Sequence, residues 1–184
     1  MSPVEQNEVQ TGNAIGNSAG PTTRDTVEPN AFRQAMSRVS ASVHVVTTFG
    51  PAGKAGFTAT AVCSVSDNPA TLLVCLNGCS QILPVLQKNR CLCVNTLGAD
   101  DKNIADIFAG RTGLFMDTRF ETGSWLTLKS GSPVLESAIV SFDCIVTEIK
   151  QVATHNVFFA VVKEIREPLR GQALLYHDRI YKRM

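Results

Sequence analysis

Charge of one sign is scarce in this sequence. Lys and Arg almost balance Asp and Glu, leaving a formal net charge of +1 over 184 residues. That balance excludes the electrostatic footprint of a protein built for nucleic acid or an anionic membrane. Long apolar runs are missing too: Asn, Ser or Asp interrupts each one before it could span a bilayer. The opening stretch, MSPVEQNEVQTGNAIGNSAG, has no basic start followed by an apolar core. It does not read as a secretory signal, and a cytoplasmic location is expected. There is no C-x-x-C, no G-x-G-x-x-G, no P-loop ending, no metal-ligand cluster and no evident carboxylate pair. No internal repeat is visible. Chemistry that depends on a protein nucleophile, a bound metal or a Rossmann nucleotide fingerprint is therefore not indicated.

Six cysteines are present: Cys63, Cys75, Cys79, Cys91, Cys93 and Cys144. Most lie in apolar segments such as TLLVCL and RCLCVN, where Cys behaves as a small hydrophobe. They read as reduced thiols rather than a disulfide framework or a zinc site. Hydrophobic residues make up 44% of the chain, enough for the core of one domain. Residues 1–30 are rich in Asn, Gly, Ser, Thr and Pro and cannot bury enough apolar surface to offset their ordering entropy. We read them as a disordered tail, and residues 31–184 as the folded domain.

Asn30 is expected to cap a helix whose apolar face is Phe32, Met36 and Val39. SVHVVTTF then reads as a β-branched strand. GPAGKAG could be a phosphate-cradling loop, but it lacks the required spacing and reads better as a hairpin turn. GFTATAVCSVS is a strand of small side chains ending in the Asp67-Asn68-Pro69 turn. ATLLVCLN and RCLCVNTL are buried strands. Between them Ser80 can cap QILPVLQKN, with Pro84 tolerated near the first turn. Asp100 or Asp101 can cap KNIADIFAG, with Ile104, Ile107 and Phe108 on one face. Residues 111–133 read as loops around Phe120 and Trp125. VSFDCIVTEI alternates, placing Val140, Phe142, Cys144 and Val146 on one side. NVFFAVVKEI and ALLYHDRIYKRM supply the last strands, and His44 reads as a satisfied histidine inside its strand. The fold class is mainly β with short helices. A closed or partly closed antiparallel barrel is expected, since closure removes exposed edges.

From Phe32 onward the sequence resembles the flavin reductase-like family. The landmarks run in order: FRQAMSRVSASVHVVTT, GFTATAVCSVSDNPATLLVCLN, CLCVNTL, the FAG of residues 108–110, Arg119-Phe120, GSPVLESAIVSFDC, Thr154-His155 and LLYHDRIY. Members of this family, similar to the reductase of 4-hydroxyphenylacetate 3-monooxygenase, are the short-chain reductase components of two-component flavin monooxygenases. The resemblance implies a flavin-binding split β-barrel and a homodimer with flavin near the subunit interface. It implies hydride transfer from NADH to free FAD, with FMN possible, and delivery of the reduced flavin to a separate monooxygenase. Two departures stand out. Ala70 follows Pro69 where many members have a second Pro, and Gly78 follows Asn77 where relatives often carry Arg.

Hydride passes directly between the two cofactors, so no catalytic side chain and no metal are expected. The family positions imply a flavin wall of Thr58, Ala59, Thr60, Ala61, Cys63, Ser64, Val65 and Ser66. Asn77 and Ser80 then lie at the phosphate end, Asn95, Thr96 and Leu97 complete the wall, and Phe108 and Arg119 are further contacts. His155, Tyr176, Arg179 and Tyr181 are placed at the nicotinamide entrance. Residues taken alone leave blander readings open: TATAVCSVS as a tightly packed strand, Phe108 as core, Arg119 as a solvated charge, His155 as a turn histidine. Two other functions are weighed. One is a non-catalytic flavin- or haem-binding split barrel. The other is a pyridoxamine-phosphate type oxidase, which would need a basic cluster that is not evident.

Overall fold

The computed structural model describes residues 26–167 and 171–184. The tail expected over residues 1–30 lies outside the described residues up to position 25. Helix α1 (Pro29–Ser37) leads into strands β1 (Ala41–Ser42), β2 (His44–Gly50), β3 (Gly53–Ala59), β4 (Val62–Asp67) and β5 (Ala70–Asn77). Helix α2 (Leu83–Asn89), strand β6 (Cys91–Thr96) and helices α3 (Lys102–Phe108) and α4 (Met116–Arg119) follow. Strands β7 (Trp125–Thr127), β8 (Pro133–Leu135), β9 (Val140–Val152), β10 (His155–Arg166), β11 (Leu174–His177) and β12 (Ile180–Arg183) complete the order.

The main sheet has seven strands in the order β3-β2-β6-β9-β10-β5-β4. Strands β3 and β4 form its two opposite edges, yet only Thr60 and Ala61 lie between them in the chain. Three residue steps reach at most about 11 Å. The sheet must therefore curl until its two edges approach where β3 ends and β4 begins. No ladder joins β3 to β4, so the ring of strands is open and the closed alternative is corrected. The mainly β architecture with short helices is as read from the sequence.

GFTATAVCSVS was expected as one strand and is two. Ala59 pairs with His44, the first residue of β2, so β3 has no partner left to follow. Two residues later the Cys75 amide donates to the Ala61 carbonyl at 3.0 Å, and the chain has joined the other edge. GPAGKAG is the hairpin turn: Gly50 faces Gly53 across Pro51-Ala52, and Gly53 has φ +90°, which a side chain would strain. Residues 111–133 were expected as loops and also contain α4 and β7.

The helix caps differ from expectation. Glu28 precedes α1 and Pro29 starts it, so Asn30 is already inside the first turn; the fixed φ of Pro suits that position. Ile82 precedes α2, and the Ser80 hydroxyl accepts from the Ile82 amide at 3.3 Å in the turn before the helix. Asp101 holds the cap position of α3 without capping it. Its carboxylate is engaged by the Gly98 amide at 2.9 Å and the Ser137 hydroxyl at 2.8 Å, which tie the β6 exit to the turn before β9.

Strand β2 serves two cores because successive side chains alternate. Val46 joins Leu72, Val74, Leu92, Val94 and Phe158 inside the curl of the sheet, closed by Leu86 of α2. Val43 and Val45 face the other way, into Leu97, Ile104, Phe108, Leu135 and Leu174. Each large apolar side chain buried here contributes about 1.5–3 kcal/mol. Phe142, Cys144 and Val146 pack in or against the first core, as their alternation implied. On the opposite face of β9, Ser141 and Asp143 are also buried, covered by the segment around β8.

Candidate functional site

A cleft of about 580 Å³ opens between β3, the turn after β5, α2 and the ends of α3 and α4. This is the volume range of a small-molecule site. Its floor is apolar: Phe57 and Leu76 from the sheet, Ile82 and Val85 beside α2, Phe108 from α3 and Met116 from α4. Its rim is polar: Lys54, Thr58, Asn77, Ser80, Gln81 and Arg119. Two cations and no carboxylate line the cleft. Such a rim favours an anion, and such a floor favours a planar apolar body.

Local structure fixes several of these side chains. The Asn77 carboxamide oxygen accepts from the Cys79 amide at 2.8 Å, folding the strand exit back on itself. The Thr58 hydroxyl donates to the Ala105 carbonyl at 2.7 Å, binding β3 to α3. Arg119 Nε donates to the Leu114 carbonyl at 3.1 Å, so its charge is held by backbone rather than neutralised. Phe108 is only 2% exposed, and its ring lies against Gly56; a Cβ at Gly56 would come within 2.8 Å of it. A side chain at position 56 would therefore displace the cleft floor.

Among the residues expected from the sequence, the fold brings Thr58, Asn77, Ser80, Phe108 and Arg119 into this one cleft. Thr60 and Ala61 line a separate groove with Tyr176 and Arg179, beneath Phe32 and Met36 of α1. Ala59 is buried in the first core, while Cys63, Ser64, Val65 and Ser66 lie exposed along edge strand β4. Burial, followed by the neighbouring Cys63, pushes the Cys75 thiol above its usual range. His155 opens β10 directly opposite Asn77, exposed, with its Nδ1 3.0 Å from the Thr154 hydroxyl.

Asn95 and Leu97 do not form an accessible wall; both have no exposed surface in the chain. Asn95 is a packing hub. It donates to the Val45 carbonyl at 3.1 Å and accepts from the Leu135 amide at 2.8 Å and the Ser141 hydroxyl at 3.0 Å. Thr96 is nearly buried, with its hydroxyl 3.0 Å from His44 Nδ1. Burial lowers the His44 pKa to about 4, so its imidazole is neutral at neutral pH.

Tyr176 and Tyr181 pack at a tilt with centroids 5.3 Å apart, and the Arg111 guanidinium lies 5.4 Å from the centre of the Tyr181 ring. Arg111 also pairs with Asp106 at 2.7 Å, which raises its pKa further. Burial raises the Tyr181 pKa. Sequence reasoning missed Arg111, and it missed Lys54, Gln81 and Met116 of the cleft. Lys54 was in view within GPAGKAG. The segment is a hairpin as expected, and its Lys nevertheless lines the anion-favouring rim.

Comparison with known proteins identifies the family. The model of the flavin reductase like domain matches residues 36–184. The FMN reductase (NADH) RutF of Methylorubrum populi is 48% identical over 156 residues, covering 85% of this chain and 76% of that protein. The crystal structure of a candidate flavin reductase from Haemophilus somnus 129pt superposes with a TM-score of 0.82 at 44% identity, covering 86% of this chain and 100% of the other. The styrene monooxygenase flavin reductase of Pseudomonas putida S12 gives a TM-score of 0.73 at 27% identity, covering 83% and 96%. With the matched domain running from the end of α1 to the last strand, the chain belongs to the flavin reductase-like family.

Proposed function

We propose that the chain reduces free flavin with NADH and releases it to a separate monooxygenase. The cleft carries this reading: a cationic rim without a carboxylate stands over an apolar floor of the right size for a flavin. The FMN half fits that donor set. Phe57, Phe108 and Met116 would meet the ring, and Lys54, Ser80, Gln81 and Arg119 would hold the phosphate. When bound together, nicotinamide and flavin supply the chemistry themselves, a hydride passing from nicotinamide C4 to flavin N5. The chain's part is to orient the rings and exclude water. His155 beside Asn77 would meet the nicotinamide from the rim, while Tyr176, Arg179 and Tyr181 flank the approach from the α1 side. Thr60, Ala61 and the exposed residues of β4, Cys63 to Ser66, would border the flavin from the open seam.

The sequence pointed to FAD as the preferred flavin, whereas the similar Methylorubrum protein is named for FMN. The cleft residues meet the half that both flavins share, so we infer that either is accepted. Delivery to a monooxygenase is supported by the Pseudomonas structure, whose name places it in such a system. We further propose the split-barrel form and a homodimer. Phe32 and Met36 on α1, and Val39 just beyond its end, are each about half exposed beside a groove bordered by Thr60 and Ala61, so a second copy would cover them and complete the site. The test is NADH consumption with FMN, FAD and riboflavin added in turn. Added flavin should raise the rate, and dialysis should remove flavin reversibly. Tight, non-exchanging flavin with no rate response to added flavin would contradict the proposal.

A further inference from the structure

Beside the main cleft lies a second groove of about 420 Å³ that the proposed reaction does not use. Phe49, Phe120, Trp125, Leu126 and Pro133 line it. The two cavities share one residue, Lys54. They also share a wall: Phe108 of the first packs on Phe120 and Trp125 of the second, with centroids 5.0 and 5.6 Å apart. Trp125 is held by its indole N–H, which donates to the Thr122 carbonyl at 3.0 Å. Phe49 is 51% exposed at the groove edge, so its ring is open to a ligand in the groove. The Lys54 ammonium stands 4.6 Å from the centroid of the Phe120 ring, and among the described residues no carboxylate forms an ion pair with it.

We propose that this groove is an adenosine subsite. A purine ring stacks between Phe49 and Trp125, and the attached diphosphate crosses Lys54 into the main cleft. This subsite rests on the flavin and NADH reading above, since both FAD and NADH carry an adenosine diphosphate half. Aromatic faces accept any purine, and a cation at the junction of two cavities suits a diphosphate that links two ring systems.

The chain contains a single Trp, so its fluorescence reports this groove directly. Titration with ADP alone, without flavin, should quench the emission saturably. Adenosine should bind more weakly than ADP. Phe49→Ala, a change at an exposed position, should weaken ADP about tenfold by removing one stacking partner. Lys54→Ala should erase the difference between ADP and adenosine. Two further measurements identify the source of the adenosine. A rise in the FAD-to-FMN dissociation ratio in Phe49→Ala assigns the groove to FAD, and a rise in the NADH KM with FMN as acceptor assigns it to NADH. Unchanged emission at millimolar ADP, equal ADP affinity in Phe49→Ala, or no change in either the ratio or the KM would overturn the subsite. The reductase reading fails separately, by absent flavin-dependent NADH oxidation in the unmodified protein even where ADP quenches Trp125.

Discussion

Three buried residues bear most directly on how the site is held. Gly56 has the cleft floor against it, so Gly56→Ala should push the Phe108 ring toward the cavity. We expect a loss of about 1–3 kcal/mol from overpacking and a higher flavin KM, read by urea unfolding and steady-state kinetics. Unaltered kinetics would mean that the floor yields elsewhere. Asn95 satisfies the amide of Leu135 and the hydroxyl of Ser141, so Asn95→Ala should cost about 3 kcal/mol by leaving buried partners unpaired. His44 has a folded pKa of about 4 against an ordinary value of 6.5. The unfolded chain therefore binds the extra proton first, and stability falls as pH drops from 6.5 toward 4. The loss approaches about 3 kcal/mol at the acid end. His44→Gln should flatten that limb when melting temperature is compared with wild type across this range; a parallel profile would show that His44 is not the group responsible. Of these, only the satisfied His44 was legible in sequence. Asn95 stands in CLCVNTL, where a wall residue and a buried hub look alike until the neighbours that cover it are known.

At the level of elements, alternation and turn chemistry carried the reading well. The β2–β3 hairpin follows from glycines around a two-residue turn, and β5, β6, β9 and β10 follow from apolar runs. What could not be read was the fate of GFTATAVCSVS. One uninterrupted run of strand-forming residues supplies both edges of the sheet, and the break after Ala59 is set by where β2 begins, a long-range fact. The caps failed because other partners took the side chains: the Asp101 carboxylate holds the Gly98 amide and the distant Ser137 hydroxyl, and the Ser80 hydroxyl serves the Ile82 amide in the turn before α2. Helix α1 was legible as amphipathic, but its apolar face lies on the surface rather than against the core. If that face closes a homodimer, Phe32→Asp combined with Met36→Asp should convert the protein to a monomer in sedimentation velocity and weaken flavin binding. A monomeric wild type would contradict the dimer.

Across the whole molecule, the site is a meeting of segments far apart in sequence. The β3 residues Lys54 and Thr58 share the cleft with Ser80 and Gln81 from the turn before α2 and with Arg119 from α4. The landmarks of the family gave five of the cleft residues, because those landmarks track the chain. The cation at position 54 was hidden by a correct local reading of its turn. His155→Ala belongs to this scale, since its place opposite Asn77 joins the β10 start to the rim of the cleft. We expect it to raise the NADH KM about fivefold through one lost hydrogen bond while flavin affinity stays near wild type. A collapse of flavin binding with NADH unaffected would move the histidine to the other substrate.

If free flavin is the substrate, its reduction needs only NADH and this chain. Anaerobic mixing of the purified protein with NADH and a stoichiometric excess of FMN tests it most directly, following nicotinamide and flavin absorbance together. NADH loss and FMN bleaching should proceed mole for mole over many turnovers, with an initial rate that saturates in FMN. Bleaching that stops at one flavin per protein, or NADH loss without bleaching of the free flavin, would contradict it.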